Sequence, residues 1–354
     1  MSDTKLDITK QSAKVDKLEK RLLAKIIGQE RAVQEIVQAY VSMTVNIQRE
    51  GRPLGVFLFM GPTGVGKTET VRQFAATLLG NRNAFTRIDC TEFSESHEAA
   101  KLLGAPAGYL GYNDVPRLAQ SKIDEHQTKT EKTNILLFDE IEKGSPKLFD
   151  SIMTILGDGI LHLGNGSITD FTHTFIFLTT NLGSKQTREL MEGASLGFSG
   201  APQTKSDVDD SIYRTSKEQV KKTFRTEFVN RLDRIVVFRS LSRHSLGKIL
   251  KLELEDLQWR IWRSPWHGID FSGGERITNA RSIIFKLTDA AKDFMLDEGT
   301  SEIYGARELS RAVDREIQFP MASLIASEQI ASGDTIEIDK DPANGLTFIK
   351  KEKL

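Results

Sequence analysis

Cysteine is nearly absent from the sequence, because Cys90 is the only one in 354 residues. A single thiol excludes an internal disulfide and any cysteine-rich zinc site. Long apolar runs are also lacking: no stretch approaches the roughly 20 residues that a membrane-spanning helix needs, and the polar N-terminus has no apolar signal-peptide core. The sequence therefore predicts a soluble protein of the cytoplasm that does not enter a membrane.

An excess of charge of either sign is lacking as well. Lys and Arg total 48 and Asp and Glu total 49, which gives a formal net charge of −1. This balance argues against bulk electrostatic binding of a long polyanion such as a nucleic acid. The six histidines show no spacing typical of metal ligands. Hydrophobic residues at 39% and charged residues at 27% are typical of a globular protein.

Five short apolar or β-rich runs punctuate the first two thirds of the sequence. They are residues 56–60, 85–89, 135–138, 175–178 and 235–238. Four of the five show little alternation, as expected for strands that are buried on both faces of a parallel sheet. Helical stretches lie between them, so the predicted fold class is α/β, with a doubly wound parallel five-stranded sheet.

The pattern divides the chain into three parts. Residues 1–25 are predicted to form a linker helix, since apolar residues recur at helical spacing towards its end; a frayed polar tail is the alternative before Val15. Residues 26–240 are predicted to form the large α/β domain. Residues 241–354 begin with a long helix and continue with short strands and helices, which predicts a small α+β domain.

Residues 61–68 read GPTGVGKT and fit the phosphate-binding motif G-x-x-x-x-G-K-[ST]. They follow an apolar run and precede a helical stretch. Glycines let successive backbone amides point at phosphate oxygens, and the helix N-terminus adds partial positive charge. Lys67 is expected to reach the β- and γ-phosphates and Thr68 to ligate Mg²⁺. The motif predicts a site for ATP or GTP with Mg²⁺. Its residues are Gly61, Pro62, Thr63, Gly64, Val65, Gly66, Lys67 and Thr68.

Two carboxylates, Asp139 and Glu140, follow directly on the apolar run 135–138. The carboxyl end of a buried parallel strand is where ligands bind in open α/β sheets. Asp139 is therefore predicted to hold Mg²⁺, directly or through water, and Glu140 to polarise the attacking water. The alternative is that these carboxylates only cap the helix that follows the strand. The phosphate-binding motif favours the magnesium and water roles over this alternative.

Seven motifs together resemble the AAA+ ATPases of the Clp/Hsp100 group, specifically the second ATPase ring of ClpA- and ClpC-like unfoldases. They are Ile27-Gly28-Gln29, GPTGVGKT, LLGAPAGYLGY, LLFDEIEK, TTNLGS, EFVNRLDRIVVF and YGARELSRAV. The resemblance runs from about Leu22 to Asp339 and implies that Ile27 lies at the nucleotide. The family's N-terminal substrate-receptor domain and first ATPase ring are missing. The chain is expected to be either a natural single-ring protein, which Met1 favours only weakly, or a piece of a longer one.

The resemblance implies roles for three further polar residues. Asn181 matches sensor 1, whose amide orients the attacking water, and Arg307 matches sensor 2, which contacts the γ-phosphate. Arg231 matches the arginine finger that is presented to a neighbouring subunit; Arg225 and Arg234 are nearby competitors. Taken alone, Asn181 would be an ordinary turn residue at the end of a strand, and Arg307 an ordinary solvated arginine.

A finger supplied to a neighbour implies a ring, and the resemblance implies a homo-hexamer. Tyr109 and Leu110 match the pore loop that grips an unfolded or tagged polypeptide. Residues 164–167 match a second pore loop, but they also fit a hairpin turn. The tripeptide Leu196-Gly197-Phe198 resembles the segment with which some unfoldases dock a ClpP-type peptidase; a loop folded back on its own surface is the alternative.

The predicted function is therefore an ATP-driven hexameric protein unfoldase, with delivery to a ClpP-type peptidase as a hypothesis. A stand-alone disaggregase or a dedicated complex-disassembly ATPase is the alternative. A nucleic-acid-remodelling AAA+ motor fits the balanced charge poorly. A scaffold that binds nucleotide without turnover fits poorly with Glu140, Asn181, Arg231 and Arg307 all in place.

Overall fold

The computed structural model of the chain describes residues 10–95, 98–105, 108, 112, 114–183, 205–263, 283–300, 305–341 and 345–351. Contacts between Cα atoms divide the chain into two compact units. The first comprises residues 1–62 and 66–239, and the second comprises residues 63–65 and 240–354.

The first unit is built on a five-stranded sheet with the strand order β2-β3-β6-β1-β7, in which all neighbours are parallel. Its strands are β1 (Gly55–Met60), β2 (Thr86–Asp89), β3 (Asn134–Asp139), β6 (Thr174–Thr180) and β7 (Arg234–Val237). Every residue of the three central strands is buried. The predicted parallel α/β sheet is confirmed, and its apolar runs reflect burial on both faces.

Phenylalanines fill the space around the central strands. The rings of Phe57 on β1 and Phe177 on β6 stack with centroids 5.1 Å apart. Phe74, on the helix that follows β1, meets Phe175 edge to face at 5.2 Å. Each buried aromatic side chain contributes about 1.5–3 kcal/mol to folding. This packing fixes that helix against the sheet, and so fixes the start of the helix at the end of β1.

The helices of the first unit connect these strands and precede them. They are α1 (Ala13–Lys25), α2 (Glu30–Thr44), α3 (Lys67–Leu79), α4 (Ala99–Leu103), α5 (Gln120–Ile123), α6 (Pro146–Asp158), α7 (Lys205–Thr223) and α8 (Thr226–Arg231). The N-terminal amphipathic pattern becomes α1, whose Val15, Leu18 and Leu22 are buried. Two short strands, β4 (Ile160–His162) and β5 (Ile168–Asp170), form a separate antiparallel hairpin.

The second unit has its own apolar core and a three-stranded sheet with the order β10-β9-β8. Its strands are β8 (Ile284–Leu287), β9 (Thr335–Asp341) and β10 (Gly345–Lys351). Its helices are α9 (Arg243–Arg263), α10 (Asp289–Glu298), α11 (Ala306–Val313) and α12 (Phe319–Ala326). The small α+β domain that the sequence predicts is confirmed. Among the helices described in either unit, none is both long and apolar enough to cross a membrane.

Candidate nucleotide-binding site

The phosphate-binding motif forms the turn between β1 and α3. Gly61 has a φ of 145°, and a Cβ atom there would lie 2.6 Å from the carbonyl oxygen of Phe238, so only glycine fits. Gly66, immediately before α3, has a φ of 101° and caps the helix without a side-chain hydrogen bond. No side chain caps the N-terminus of this 13-residue helix, and the partial positive charge there suits a phosphate group.

The ammonium group of Lys67 lies among three oxygens. Its Nζ donates to the carbonyl oxygens of Gly61 at 2.5 Å and Pro62 at 2.8 Å, and to Oδ1 of Asn181 at 2.8 Å. The first two acceptors belong to the turn itself, and the third follows the end of β6. The lysine therefore ties the phosphate-binding turn to the carboxyl end of the neighbouring strand.

Asp139 ends β3, and its carboxylate is held on both oxygens. Oδ2 accepts from Nη2 of Arg87 at 2.7 Å and from Nε of Arg87 at 3.1 Å. Oδ1 accepts a hydrogen bond from the hydroxyl of Thr179 on β6. Asp139 is buried, while its arginine partner reaches it from the edge strand β2 and remains half exposed.

Glu140 has a left-handed backbone, with φ 56° and ψ 52°. This conformation turns the chain sharply out of β3 and is uncommon for a residue other than glycine. The Glu140 amide donates to the hydroxyl oxygen of Thr179 at 3.0 Å. Its carboxylate Oε1 accepts from Nδ2 of Asn181 at 3.2 Å.

Asn181 connects these groups. Its amide oxygen accepts from Lys67 and its amide nitrogen donates to Glu140. Its backbone amide donates to Oε1 of Glu142 at 3.0 Å, which fixes the chain just beyond β6. The structure therefore brings four of the predicted site residues together at the carboxyl ends of β1, β3 and β6: Lys67, Asp139, Glu140 and Asn181.

Negative charge dominates the carboxyl ends of β2 and β3. Burial, together with the nearby carboxylates of Asp89 and Asp139, raises the pKa of the Cys90 thiol well above its usual range. Divalent cations suit such a place, and Mg²⁺ prefers hard oxygen ligands. The Asp139 carboxylate is of this kind, as is the hydroxyl of Thr68, the second residue of α3. These residues fit a magnesium ion.

The Ile27 segment joins α1 to α2, and Ile27 itself is half-buried. The neighbouring Gln29 holds this segment to the chain just after β7. Its Nε2 donates to the carbonyl oxygen of Arg239 at 2.9 Å, and its Oε1 accepts from the Arg239 amide at 3.2 Å. The paired hydrogen bonds explain why a polar side chain is buried here.

The three candidate finger arginines have different surroundings. The guanidinium of Arg231, at the end of α8, donates to the carbonyl oxygen of Met153 and packs against Gly157 of α6. Arg234 forms an ion pair with Glu35 at 2.7 Å. Arg225 is exposed, and within the described residues its side chain has no hydrogen bond or ion pair.

Arg307 lies in the second unit, where its exposed side chain occupies the first turn of α11. Gly305, which precedes this helix, has a φ of 53°. Tyr109 and Leu110 lie outside the described residues, as does the tripeptide Leu196-Gly197-Phe198.

Both ends of the predicted pore loop are held by backbone hydrogen bonds. The Leu118 amide donates to the Leu102 carbonyl at 3.2 Å. The predicted second loop, residues 164–167, is the turn of the β4–β5 hairpin. The Gly164 amide of this hairpin donates to the Leu103 carbonyl at 2.6 Å, so the two predicted pore elements meet at their bases.

Three residues of the site were not identified from the sequence: Arg87, Thr179 and Glu142. Each is a polar residue in, or just beyond, a strand of the five-stranded sheet. Arg87 stands two residues before Asp89 on the edge strand, and Thr179 interrupts the apolar run of β6 where that strand nears its end. A polar residue near the carboxyl end of a buried strand is therefore the signal that could have identified Thr179.

Comparison with known proteins agrees with this geometry. Residues 52–235 match the family model of the AAA domain (Cdc48 subfamily), and residues 273–338 match that of the C-terminal, D2-small domain of ClpB protein. The first match covers just over half of the chain. The chain belongs to the AAA domain family, and so to the AAA+ ATPases, which bind nucleotide.

Within that class the chain is similar to Clp proteins and to Hsp104. It is 35% identical over 344 residues to a ClpA homolog, an ATP-dependent Clp protease ATP-binding subunit of Guillardia theta, covering 97% of this chain and 39% of that protein. It is 34% identical over 342 residues to chaperone protein ClpB 1 of Nostoc sp., covering 96% of this chain and 34% of that protein.

A cryo-EM structure of Hsp104 with ATPγS and FITC casein in a closed state has the same fold. Its TM-score is 0.73 at 27% identity, over 95% of this chain and 52% of that one. The chain thus spans between about a third and two fifths of the two curated relatives.

Proposed function

We propose that the chain hydrolyses ATP with Mg²⁺ and that a homo-hexamer of it, in the cytoplasm, uses this energy to thread proteins through a central pore. The observation that carries the proposal is the line of contacts from Lys67 through Asn181 to Glu140. It joins a phosphate-binding turn to a carboxylate that is suited to activate water.

The roles proposed for the site residues follow from their contacts. Lys67 and the first amides of α3 would hold the β- and γ-phosphates. Thr68 and Asp139 would hold Mg²⁺, which would neutralise charge on the phosphates. Glu140 would accept a proton from the attacking water, and Asn181, which already donates to Glu140, would orient that water.

A ring is proposed because Arg231 ends a short helix that is separate from these contacts. An arginine supplied by a neighbour neutralises charge on the transferring phosphate, worth about 10³–10⁵ in rate in other NTPases. Its guanidinium would have to leave the Met153 carbonyl of its own chain to act in this way. For Arg307 the proposed role is that of sensor 2, which contacts the γ-phosphate.

Threading is proposed from the GYLGY motif and from similarity to Clp proteins. Tyr109 and Leu110 would grip the polypeptide. Hydrogen bonds at the base of their loop, and between that base and the β4–β5 hairpin, would hold the loop in place. A ClpP-type peptidase is the proposed acceptor of the threaded chain, with Leu196-Gly197-Phe198 as the docking segment. The alternative, a chaperone that works without a peptidase, is favoured by the match of the second unit to a ClpB domain.

The first experiment separates nucleotide binding from hydrolysis. Glu140→Gln should bind ATP normally and lose about 10²–10⁴-fold in turnover, because the amide keeps the shape of the base but accepts no proton. Lys67→Ala should lose ATP binding itself. Glu125→Gln makes the same chemical change on the surface and should leave both unchanged. Wild-type turnover in Glu140→Gln would contradict the assigned roles.

The ring is tested by mixing inactive subunits. Arg231→Ala should bind ATP and hydrolyse it poorly, and mixing it with Glu140→Gln should restore part of the turnover. In such mixed rings an intact Glu140 meets an intact Arg231 of its neighbour. Arg225→Ala and Arg234→Ala are the matched arginine controls. Loss of turnover in Arg225→Ala, with Arg231→Ala fully active, would reassign the finger.

Threading is tested by ATP-dependent unfolding of a tagged fluorescent protein. Tyr109→Ala should keep ATP turnover and lose unfolding, whereas Tyr112→Ala, an exposed tyrosine three residues on, should keep both. Unfolding at the wild-type rate in Tyr109→Ala would place the grip elsewhere. Deleting residues 196–198 should abolish only degradation coupled to a ClpP-type peptidase. Degradation that survives this deletion would contradict the docking role.

A further inference from the structure

The hydrogen-bonding pattern between β3 and β6 changes at the site. The two strands pair in parallel register from Asn134 and Thr174 up to Phe138 and Leu178. One residue further on, a side chain of β6 rather than its backbone makes the hydrogen bonds to the end of β3. The hydroxyl of Thr179 donates to Oδ1 of Asp139 and accepts from the backbone amide of Glu140.

This hydroxyl has a defined orientation. A threonine hydroxyl has one hydrogen to donate, and Asp139 receives it. A lone pair is then directed at the Glu140 amide. Thr179 is fully buried, so water does not compete for either hydrogen bond.

Glu140 needs such support because its backbone is left-handed, which is unfavourable for a residue with a Cβ atom. Such a conformation persists only where the surroundings impose it. The hydrogen bond from the Glu140 amide to Thr179 is one such constraint. It aims the carboxylate of Glu140 towards Asn181, where its Oε1 accepts at 3.2 Å.

We infer that Thr179 is a positioning residue for ATP hydrolysis: its hydroxyl couples the carboxylate of Asp139 to the backbone of Glu140 and thereby sets the direction of the general base. This inference rests on the role proposed for Glu140, but not on a ring, a pore or a peptidase. Loss of the hydroxyl should leave nucleotide binding intact and misplace the base.

The experiment compares two pairs of side chains that differ chiefly in the hydroxyl. The first pair is wild-type threonine and Thr179→Val, which have nearly the same shape. The second pair is Thr179→Ser and Thr179→Ala, which likewise differ chiefly in the hydroxyl. ATP turnover at saturating Mg²⁺ and the dissociation constant of a fluorescent ATP analogue are measured for each full-length variant. Thr174→Val is the matched control, because Thr174 starts the same strand, is equally buried, and its hydroxyl has no partner among the described residues.

Thr179→Val should lower kcat by about 10²-fold, the effect of moving a catalytic group by about 1 Å, with the dissociation constant unchanged. Thr179→Ser should retain most of the turnover and Thr179→Ala should not. Thr174→Val should behave as wild type. Turnover in Thr179→Val equal to wild type, or equal turnover in the Ala and Ser variants, would overturn the inference. The second pair decides the question if the valine variant does not fold.

A double variant tests whether Thr179 acts through Glu140. Two residues that act as one unit do not lose activity multiplicatively. Adding Thr179→Val to Glu140→Gln should therefore leave the residual turnover unchanged. A further 10²-fold loss would show that Thr179 acts elsewhere and would overturn the inference. Glu140→Gln alone with wild-type turnover would refute the proposed base, whereas failure to unfold a substrate protein would refute only the proposed threading.

Discussion

Replacing Arg87 by methionine tests how the site stabilises its buried carboxylate. Methionine keeps the length and flexibility of the side chain but removes the charge and its hydrogen bonds. Asp139, whose side chain is 11% exposed, would lose donors at 2.7 and 3.1 Å. The lost cation would also leave Asp139 next to the carboxylate of Asp89, which now shares it at 3.4 Å.

The size of the effect follows from the exposure of the two partners. Exposed ion pairs contribute about 0–1 kcal/mol, and breaking a buried pair costs about 3–5 kcal/mol. Here one partner is buried and Arg87 is 45% exposed, so we expect a loss of about 2 kcal/mol. For a unit of this size that corresponds to a fall in Tm of about 4–8 °C.

Thermal unfolding without nucleotide measures this loss directly, and Arg82→Met is the matched control. Arg82 pairs with Glu69 at 3.2 Å, but their side chains are 50% and 39% exposed, so the control should lose less than about 1 kcal/mol. With Mg²⁺ and ADP, the loss in Arg87→Met should shrink, because the Mg²⁺ ion proposed to bind Asp139 would replace the missing charge. A fall no larger than that of Arg82→Met, or a larger fall with Mg²⁺ and ADP, would refute the reasoning.

Three further predictions concern glycine and cysteine. Gly61→Ala would place a methyl group 2.6 Å from a backbone carbonyl at a φ of 145°, so it should abolish nucleotide binding and lower Tm; Gly80→Ala, where nothing lies within 4 Å, should bind normally. Cys90 should react with a thiol reagent only as the protein unfolds, since burial raises its pKa and hides it; rapid labelling of the native protein would contradict this. Gly157→Ala would bring a Cβ atom within 2.8 Å of Cζ of Arg231. The gain in helix propensity, about 1 kcal/mol, should roughly offset the free energy lost with the displaced hydrogen bond, so thermal unfolding should show little net change in stability. A net loss above about 3 kcal/mol would mean that Arg231 cannot move aside, as a finger must.

The elements that form the site were predictable because their signals are local. A glycine-rich turn between an apolar run and a helix specifies its own backbone, and Asp139 and Glu140 follow directly on a buried strand. Parallel pairing then requires the strand ends to meet at one edge. Asn181 was assigned by resemblance, and the structure adds its two hydrogen-bonding partners, Lys67 and Glu140.

The remaining contacts depend on strand order and register, which the sequence does not state. The strand β2 lies next to β3 in the sheet although other elements separate them in sequence, and only this pairing brings Arg87 to Asp139. Thr179 likewise reaches Glu140 only because β3 and β6 pair in one register. Side-chain direction is a further limit: the motif identifies Arg231, but not its contact with the Met153 carbonyl.

The site requires one fixed register of β6 relative to its neighbouring strands. Thr179 pairs with Phe59 and Thr180 with Met60 on β1, and successive side chains of a strand point to opposite faces. One inserted residue would turn the Thr179 hydroxyl away from Asp139 and bring an apolar Leu178 towards the carboxylates. Sequence length between Thr174 and Asn181 is therefore as strictly constrained as residue identity. In a library of single insertions, thermal stability should tolerate an insertion between Asn165 and Gly166, in the exposed turn of the β4–β5 hairpin, and none within this strand.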